Sequence, residues 1–555
     1  MKKILIVGSG IAGLSCAIHC AEAGMEVTLV SPFPSERAQS VLAAGGINAV
    51  LKEGNDSIQS HIEDTLRGGL DIAGENAVRG LCESAPCIIE WLEKLGTVFS
   101  VESDGTVARR SFGGQSHART CYCGSSTGKQ IVSALVMEAR RYEGLGQIHR
   151  LLWRDFYSAL ILDGVCYGAI LYNESTQKTE IIRADYVVIA TGGQNALFGR
   201  TTGSTLCDGY ASGKLFMQGV ELKNLEFIQY HPTTLQTDQK KMLISEAVRG
   251  EGGRLYYMDA GQRVYFMEQK YGERGNLMPR DVVSRCIEET GRDVYLDISF
   301  LEERVIKKRL PEVYELCLKY RGIDITKESI PVEPSVHFFM GGIAVKNNHE
   351  TNIQNLYAIG ECASIYHGAN RLGGNSLLAA IYSGKVAASD MAERTGSTTG
   401  SEQDVGSRKT ARLPDFQSEF DQSMDHLARL RESKSSFPVM YIRDMLAECM
   451  QDNLGIVRSE DRLLEGVRDI TYYLSIADRI NYDNSELIYF AYSLSGILTL
   501  AKATYMCALS RRESRGAHFR SDHPETDDTN AFATIISYDE GKYTTRLDRT
   551  GEYEK

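Results

Sequence analysis

Several features that would assign a long chain to nucleic acid or to a bilayer are missing from this sequence. No long run of Lys and Arg occurs and the formal net charge is -12, which removes the electrostatic footprint needed to bind nucleic acid or an anionic membrane surface. No stretch of about 18 or more apolar residues exists to span a bilayer. The apolar start of the chain stops at Gly8 and no cleavage site of the Ala-x-Ala type follows, so we expect no signal peptide and a cytoplasmic location.

Closely spaced cysteine motifs are also lacking. The thirteen cysteines are scattered, and the closest two, Cys121 and Cys123, are separated by one residue, whereas a zinc-binding or cluster-binding turn has two. We therefore expect free thiols in a reducing cytosol, no metal site, and no iron–sulfur cluster held by this chain. Any one-electron carrier must then belong to another subunit.

What the sequence does have is the composition of a soluble globular protein, with 43% hydrophobic and 24% charged residues. A chain of 555 residues is too long for one ordinary core, so two to four domains are expected. A protein of this size can bury a large cofactor.

The N-terminal segment has the pattern of a dinucleotide-binding unit. Strand, glycine turn, helix and second strand are predicted in that order, at residues 3–7, 8–13, 14–23 and 26–31. In such a unit the glycine turn lets the backbone approach a pyrophosphate, whose charge lies at the N-terminus of the helix. The residues concerned are Gly8, Gly10, Ala12 and Gly13. Ser31 stands where an Asp or Glu usually binds the ribose of NAD, which argues against a plain NAD site.

Two further apolar strands with glycine turns, at residues 186–193 and 355–361, are typical of an FAD domain that an insertion interrupts. A segment rich in Gly, Ser, Thr and charge then predicts a surface linker, and helical periodicity over 416–450 and 463–509 predicts a small antiparallel helical domain. We expect an FAD-binding domain, a capping domain, a linker, a helical domain and a C-terminal segment of unassigned fold, at 1–225 with 346–395, 226–345, 396–414, 415–520 and 521–555.

Four more segments complete the pattern: Gln-Tyr-His-Pro at 229–232, Glu-Ala-Val-Arg-Gly-Glu-Gly-Gly at 246–253, Pro-Arg-Asp at 279–281, and His-Gly-Ala-Asn-Arg-Leu-Gly-Gly-Asn-Ser at 367–376. Their order and content resemble the flavoprotein subunit family of fumarate reductases and succinate dehydrogenases, with aspartate oxidase as a close relative. The resemblance runs over most of the chain. It implies an α/β protein with a Rossmann-like FAD-binding domain, an inserted α+β capping domain and a C-terminal helical domain.

The resemblance also implies the roles of individual residues. Arg280 occupies the place of the proton donor, and Glu246 and Arg249 match the relay that returns a proton to it. Substrate carboxylates would be held by His231, Ser245, His337 and Arg371, of which Arg371 can grip a carboxylate with two parallel hydrogen bonds. FAD would contact the glycine turn and Ser31 as well as Gly45, Gly46, Ala190, Thr191, Gly192, Asp208, Glu361, Asn375, Ser376 and Leu377. His117 and Arg119 have no assigned role.

The resemblance breaks at the position of FAD attachment. Membrane-linked members of the family attach FAD covalently through a histidine six residues before the first glycine of the Gly-Gly-Ile turn, and this chain has Gln39 there. An amide is not nucleophilic enough for that bond, so we expect dissociable FAD. Because covalent attachment raises the flavin potential in this family, its absence favours fumarate reduction over succinate oxidation.

A second departure separates the chain from aspartate oxidase. That enzyme carries a Glu just before the Gly-Gly of the equivalent segment, where the carboxylate can pair with the amino group of its substrate, and this chain has Phe112. A desolvated, unpaired ammonium would cost several kcal/mol. We therefore expect a subunit that reduces fumarate to succinate with electrons from an iron–sulfur partner, without inserting into a membrane itself. Aspartate oxidase and a non-catalytic flavin-binding redox subunit remain the alternatives.

Overall fold

The protein is described by a computed structural model over residues 1–51, 55–124, 126–237, 241–397, 414–433, 437–481 and 487–554. The expected linker at 396–414 therefore lies mostly outside the described residues, which omit 398–413.

A five-stranded parallel sheet forms the base of the molecule. The strand Lys3–Val7, which is apolar and buried from Ile4 to Val7, lies at its centre, as expected for a strand covered on both faces. The strand order is Leu356–Ala358, Tyr186–Ile189, Lys3–Val7, Glu26–Ser31, Ile148–Leu152. The first helix begins at Ile11 rather than at 14 because Gly10 already serves as its N-cap. The expected α/β, Rossmann-like fold is confirmed.

A second, six-stranded antiparallel sheet is built from the segment between the parallel-sheet strands Tyr186–Ile189 and Leu356–Ala358, and it has a hydrophobic core of its own. We call this part the cap. Its strand order is Lys241–Leu243, Ile228–Gln236, Ile330–Phe339, Val294–Asp297, Arg254–Asp259, Gln262–Val264. The strands Ile228–Gln236 and Ile330–Phe339 carry the chain into and out of the cap and pair with each other, and we call this pair the neck.

The C-terminal region adds helices and a hairpin. Each of the two expected helical stretches contains two helices, and together these are Gln417–Glu432, Val439–Asn453, Glu460–Ile476 and Ile488–Ser510. The segment after residue 520, to which no fold could be assigned from sequence, forms the hairpin Thr534–Asp539 and Lys542–Leu547. This hairpin joins a mixed sheet in the order Ala363–Ser364, Gly342–Ala344, Leu222–Lys223, Thr534–Asp539, Lys542–Leu547.

The remaining elements surround these layers. The other helices are Ile11–Glu22, Ile58–Gly69, Glu75–Lys94, Thr127–Gly144, Tyr210–Met217, Ala247–Gly250, Phe266–Tyr271, Arg280–Thr290, Glu303–Arg309, Pro311–Arg321 and Asn375–Ser397. Three-stranded sheets comprise Arg154–Leu162, Val165–Asn173 and Lys178–Arg183, and Ile47–Asn48, Thr120–Cys121 and Arg109–Arg110. Two-strand pairs join Phe437–Pro438 to Ile480–Asn481 and Val457–Arg458 to Phe519–Arg520. Among all the described helices, none combines the length and apolar character needed to cross a membrane.

A buried ion-pair network anchors the neck to the C-terminal region. The Glu226 carboxylate, two residues before the neck, accepts hydrogen bonds from Arg511 Nε at 2.7 Å and from Thr534 Oγ1 at 2.7 Å. Arg511 also donates to Glu513 and to the Phe532 carbonyl oxygen, so its guanidinium is held from several sides. Glu226 and Arg511 are almost completely excluded from solvent. The cap therefore starts from a point that the last fifty residues of the chain hold in place.

Replacing Arg511 with Met should strongly destabilise the protein. Removing one partner of a buried pair leaves the other charge uncompensated, at a cost of about 3–5 kcal/mol. The matched control is Arg512→Met, because Arg512 is largely exposed and approaches Glu460 only at 3.9 Å, and exposed pairs contribute about 0–1 kcal/mol. Urea unfolding of both variants measures the difference. Equal midpoints for the two variants would contradict a structural role for the network.

Candidate functional site

A cavity of about 500 Å³ runs from the parallel sheet to the cap. It is lined at one end by the glycine turn of the first strand and at the other by side chains from the cap. Of the residues singled out from sequence, those that line it are Gly8, Gly10, Ala12, Ser31, Gln39, Gly45, Gly46, Phe112, Ala190, Thr191, Gly192, Asp208, His231, Ser245, Glu246, Arg280, His337, Glu361, Arg371, Ser376 and Leu377. Segments separated by hundreds of residues thus meet in one space.

Three of the expected site residues lie behind the lining. A Cβ on Gly13 would come within 1.9 Å of the Gly8 carbonyl oxygen, so this glycine serves close packing of the helix on the turn. The Asn375 side chain hydrogen-bonds Asn48 and Thr65 in the interior and is not among the residues that line the cavity. Arg249 is buried next to Glu246 and donates to the Asn276 carbonyl oxygen at 2.7 Å.

The sheet end of the cavity fits a dinucleotide. Gly8 has φ +110° and a Cβ there would lie 2.3 Å from the Ala190 carbonyl oxygen; Gly46 has φ +134° and its Cβ would lie 2.5 Å from the Cys121 carbonyl oxygen. Only glycine allows the backbone to form these walls. Two helices begin at the cavity, at Ile11 and Asn375, and their first turns are uncharged. Helix N-termini of this kind attract the negative charge of a pyrophosphate or of a flavin ring.

Glu361 lines the same region, and its carboxyl group is perturbed by burial. Burial raises its pKa to about 7. Its Oε1 accepts a hydrogen bond from the Phe339 backbone N–H at 3.2 Å, and a Cβ on Gly193 would lie 2.6 Å from the same atom. The carboxyl group is therefore held at the junction between the neck and the sheet.

The cap end is dominated by an arginine–glutamate pair. Arg280, the first residue of its helix, donates to Glu246 Oε2 through Nε at 3.0 Å and through Nη2 at 2.8 Å. Burial alone would raise the pKa of Glu246, but Arg280 and Arg249 hold it at about 2. The Gly113 backbone N–H also donates to Glu246, at 2.9 Å. Glu246 is therefore an ionised carboxylate between two guanidinium groups.

Gln229 connects the two arginines that line the cavity. It belongs to the Gln-Tyr-His-Pro motif, but the sequence predicted no role for it. Its Oε1 accepts from Arg280 Nη1 and from Arg371 Nη2, each at 2.9 Å, and its Nε2 donates to Asn370 Oδ1 at 2.7 Å. A neutral amide oxygen thus lies between two positive groups that would otherwise repel. The available signal was the spacing, because residues i and i+2 of a strand share one face and Gln229 precedes His231 by two.

Arg371 has donor capacity left for a ligand. It is buried, its Cζ lies 4.1 Å from the centre of the Phe338 ring, and its Nε has no hydrogen-bond partner among the described residues. A buried guanidinium N–H without a partner is costly, and a carboxylate is its preferred partner. Arg371 comes from the sheet side and Phe338 from the neck, so their contact closes the site across the two parts.

Two histidines face each other beside the arginines. The His231 and His337 ring centroids lie 5.2 Å apart. Burial and the charge of Arg280 lower the pKa of both well below the usual value, so both imidazoles are neutral. In the neck, Gln229 pairs with Phe338 and Tyr230 with Val336, which leaves His337 as an extra residue at a β-bulge. Bulges re-aim side chains next to functional sites.

Phe112 forms an apolar wall between the two ends of the cavity. A Cβ on Gly45 would lie 3.3 Å from its ring, and one on Gly373 would lie 3.1 Å from its side chain. The two residues left unassigned from sequence do not line the cavity. Arg119 is fully buried in ion pairs with Asp56 at 2.9 Å and Asp64 at 2.6 Å, which gives it a structural role, and His117 lies on the neighbouring loop.

Comparison with known proteins places this geometry in context. The FAD binding domain family matches residues 3–377 and the fumarate reductase flavoprotein C-terminal family matches residues 443–551. The chain is 35% identical over 554 residues to the succinate dehydrogenase flavoprotein subunit of Bacillus subtilis, covering 97% of this chain and 94% of that protein. It is 34% identical over 540 residues to the L-aspartate oxidase of Yersinia pestis, covering 95% and 96%. The solved structure of a quinol–fumarate reductase with menaquinol molecules superposes with a TM-score of 0.89 at 30% identity, covering 99% of this chain and 98% of that one.

The raised pKa of Glu361 predicts how the flavin-free protein responds to pH. Between the ordinary value of 4.5 and about 7 the folded state keeps a proton that the unfolded state has lost, so stability is present below pH 4.5 and is lost as pH rises towards 7 and above. Glu361 is partly exposed to the cavity, so we expect a loss on the order of 2 kcal/mol. Thermal unfolding of the flavin-free protein between pH 5 and 8 should show a decline that Glu361→Gln flattens and that the exposed control Glu83→Gln does not. Parallel curves for all three proteins would contradict this assignment.

Proposed function

From the premise that this chain is an FAD-dependent oxidoreductase belonging to the flavoprotein subunit family of succinate dehydrogenases and fumarate reductases, we propose that it reduces fumarate to succinate. The observation that carries the proposal is the charge balance at the cap end of the cavity. Three buried guanidinium groups, of Arg249, Arg280 and Arg371, lie around one buried carboxylate, Glu246, and both neighbouring histidines are neutral. One to two positive charges are left over in a desolvated space, because Glu361, which interacts with Arg371 and whose pKa burial raises to about 7, compensates part of a second charge; a dicarboxylate dianion neutralises the excess.

The side chains divide the work of binding. Arg371 holds one carboxylate through its free Nε, while His231, His337 and Ser245 hydrogen-bond the other. Phe112 supplies the apolar wall against which the alkene lies. Held in this way, the substrate is fixed in position for reaction and the charge on its carboxylates is stabilised.

Arg280 supplies the proton. FAD held by the glycine turn and by the wall at Gly45 and Gly46 would supply a hydride, and the Arg280 guanidinium would give a proton to the other alkene carbon, so that fumarate, one hydride and one proton give succinate. The hydrogen bonds from Arg280 to Glu246, and the position of Arg249 next to Glu246, form the route by which a proton is returned. An arginine is a weak acid in water, so a proton must be returned to Arg280 after each turnover.

Phe112 argues against aspartate oxidation, although relatives of that name match this chain about as well as the dehydrogenases do. The carboxylate nearest to the substrate space, Glu246, is already bound by Arg280 and by the Gly113 N–H. An amino group on the substrate would therefore enter the site without a partner. Phe112 cannot serve as that partner, because its side chain is a hydrocarbon ring without a carboxylate.

Gln39 supports non-covalent FAD. It lines the cavity, and its amide oxygen accepts a hydrogen bond from the Ser204 backbone N–H, so the side chain holds a loop instead of forming a bond to the cofactor. Electrons would come from an iron–sulfur partner subunit on the cytoplasmic side.

Acid precipitation of the FAD-loaded protein should release all of its flavin into the supernatant. The measurement is flavin absorbance in the supernatant and in tryptic peptides of the pellet. A histidyl-flavin peptide, or any other yellow peptide, would contradict non-covalent binding.

Fumarate-dependent oxidation of a reduced viologen dye by the FAD-loaded protein tests the proposed reaction. Arg280→Gln should lower kcat by about 10²–10⁴-fold, the usual contribution of a general acid, while FAD content stays constant. The matched control is Arg292→Gln, because Arg292 is half-exposed and follows the same helix. Wild-type protein that ignores fumarate but makes peroxide from L-aspartate would favour aspartate oxidation, and no turnover with either would favour a non-catalytic flavin-binding subunit.

A further inference from the structure

We propose that the Thr202 hydroxyl is a positioning residue for the dicarboxylate, because it fixes the imidazole of His337 in the tautomer that directs Nε2–H at the substrate. This inference rests on the proposed function. Thr202 lies on a loop that follows the Thr191–Gly192 flavin turn, is buried, and lines the same cavity as His337. Its Oγ1 is 2.8 Å from His337 Nδ1.

The role of His337 depends on where its single ring proton lies. Its pKa is lowered well below the usual value by burial and by Arg280, so the ring is neutral and only one nitrogen carries hydrogen. A proton on Nε2 gives a donor for a substrate carboxylate, whereas a bare Nε2 would place a lone pair against the carboxylate oxygen. Binding therefore requires that Nδ1 accept a hydrogen bond from a neighbouring donor.

Thr202 is placed to be that donor. Its hydroxyl has two acceptors within reach, His337 Nδ1 at 2.8 Å and the Val336 carbonyl oxygen at 3.2 Å. The Val336 oxygen already accepts the Thr202 backbone N–H at 3.3 Å, and the shorter contact is the one to His337. We therefore infer that the Thr202 hydroxyl donates its hydrogen bond to His337 Nδ1. Nδ1 is then unprotonated, and the ring proton is on Nε2.

The β-bulge explains why a side chain is needed at this position. His337 is the extra residue in the neck, so its orientation is not fixed by a regular strand pair. His231 differs, because its Nδ1 contacts the backbone of Thr233, which accompanies it on the same strand. The Thr233 hydroxyl lies 3.5 Å from His231 Nδ1 and donates to the Ile244 carbonyl oxygen at 2.9 Å, so it is the tautomer of His337 that depends on a short contact with a replaceable side chain.

Three substitutions separate the hydroxyl from the shape of the loop. Thr202→Val removes the hydroxyl at almost constant volume, and Thr202→Ser keeps it. The control is Thr201→Val, because Thr201 is equally buried but its hydroxyl contacts Asn195 and the Gly203 N–H. If Thr202→Val does not load FAD, Thr202→Ala removes the hydroxyl without adding a methyl group.

Binding and turnover give the first readout. Thr202→Val should raise the Kd for succinate, titrated into oxidised FAD-loaded protein by the change in flavin absorbance, about tenfold, and should raise KM for fumarate by a similar factor. The fall in kcat should be smaller, because Arg280 is untouched. Thr202→Ser should restore both constants, and Thr201→Val should leave them at the wild-type values.

The tautomer itself gives the second readout. The chain has eleven histidines, so ¹⁵N-histidine labelling with His337→Gln as the assignment control identifies the His337 ring signals. The succinate complex of the wild type should show protonated Nε2 and a hydrogen-bonded, unprotonated Nδ1, and Thr202→Val should weaken or mix this pattern. Protonated Nδ1 in the wild-type complex, or identical spectra and Kd values in Thr202→Val, would overturn the inference while fumarate reduction stands. Wild-type protein that neither binds succinate nor reduces fumarate would overturn both.

Discussion

The excess of buried positive charge at the cap end of the cavity is the constraint on which the rest of the site depends. In the resting protein Arg249, Arg280 and Arg371 are charged although they are buried, and Arg280 gives up a proton only during turnover. Glu246 compensates one charge, Glu361, whose pKa burial raises to about 7, compensates part of a second, and the neutral histidines add none. The site is therefore built to be completed by a dianion, and Gln229 holds the two cavity-lining arginines together until one binds.

The fold creates this arrangement by bringing two separately folded parts together. The cap contributes Glu246, Arg280 and both histidines, while Arg371 comes from the loop that precedes the helix Asn375–Ser397 on the sheet side. The contact of Arg371 with Phe338 and its hydrogen bond to Gln229 cross that boundary. Small changes in the position of the cap would move Arg280 away from Arg371. The ion pair of Glu226 with Arg511, which holds the neck in place, therefore also helps to maintain the geometry of the site.

The sequence allowed the parallel sheet and most of the cavity lining to be predicted, because both depend on local patterns. Apolar runs and glycine spacing predicted strand 3–7, the glycine turn after it and strand 26–31. Glycines in the motifs, such as Gly8 and Gly46, indicated where the backbone itself forms the cavity wall. Partners in three dimensions were not visible. Asn375 was predicted to contact the flavin from its motif alone, which did not indicate that its side chain hydrogen-bonds Asn48, 327 residues earlier in the chain.

The same limit explains the residues that were missed. Gln229 and Thr202 act through hydrogen bonds to side chains more than fifty and more than one hundred positions away, which no periodicity reveals. The hairpin after residue 520 could not be recognised because its partner strand, Leu222–Lys223, has only two residues. The roles of side chains that act through long-range contacts could therefore be recognised only in the three-dimensional structure.

A single-turnover experiment tests the central claim most directly, since it needs no partner subunit. The FAD-loaded chain is reduced photochemically without oxygen and then mixed with fumarate. The account predicts complete reoxidation of the flavin and one succinate formed per flavin. Flavin that stays reduced in the presence of fumarate, or oxidised flavin that is reduced by L-aspartate, would contradict it.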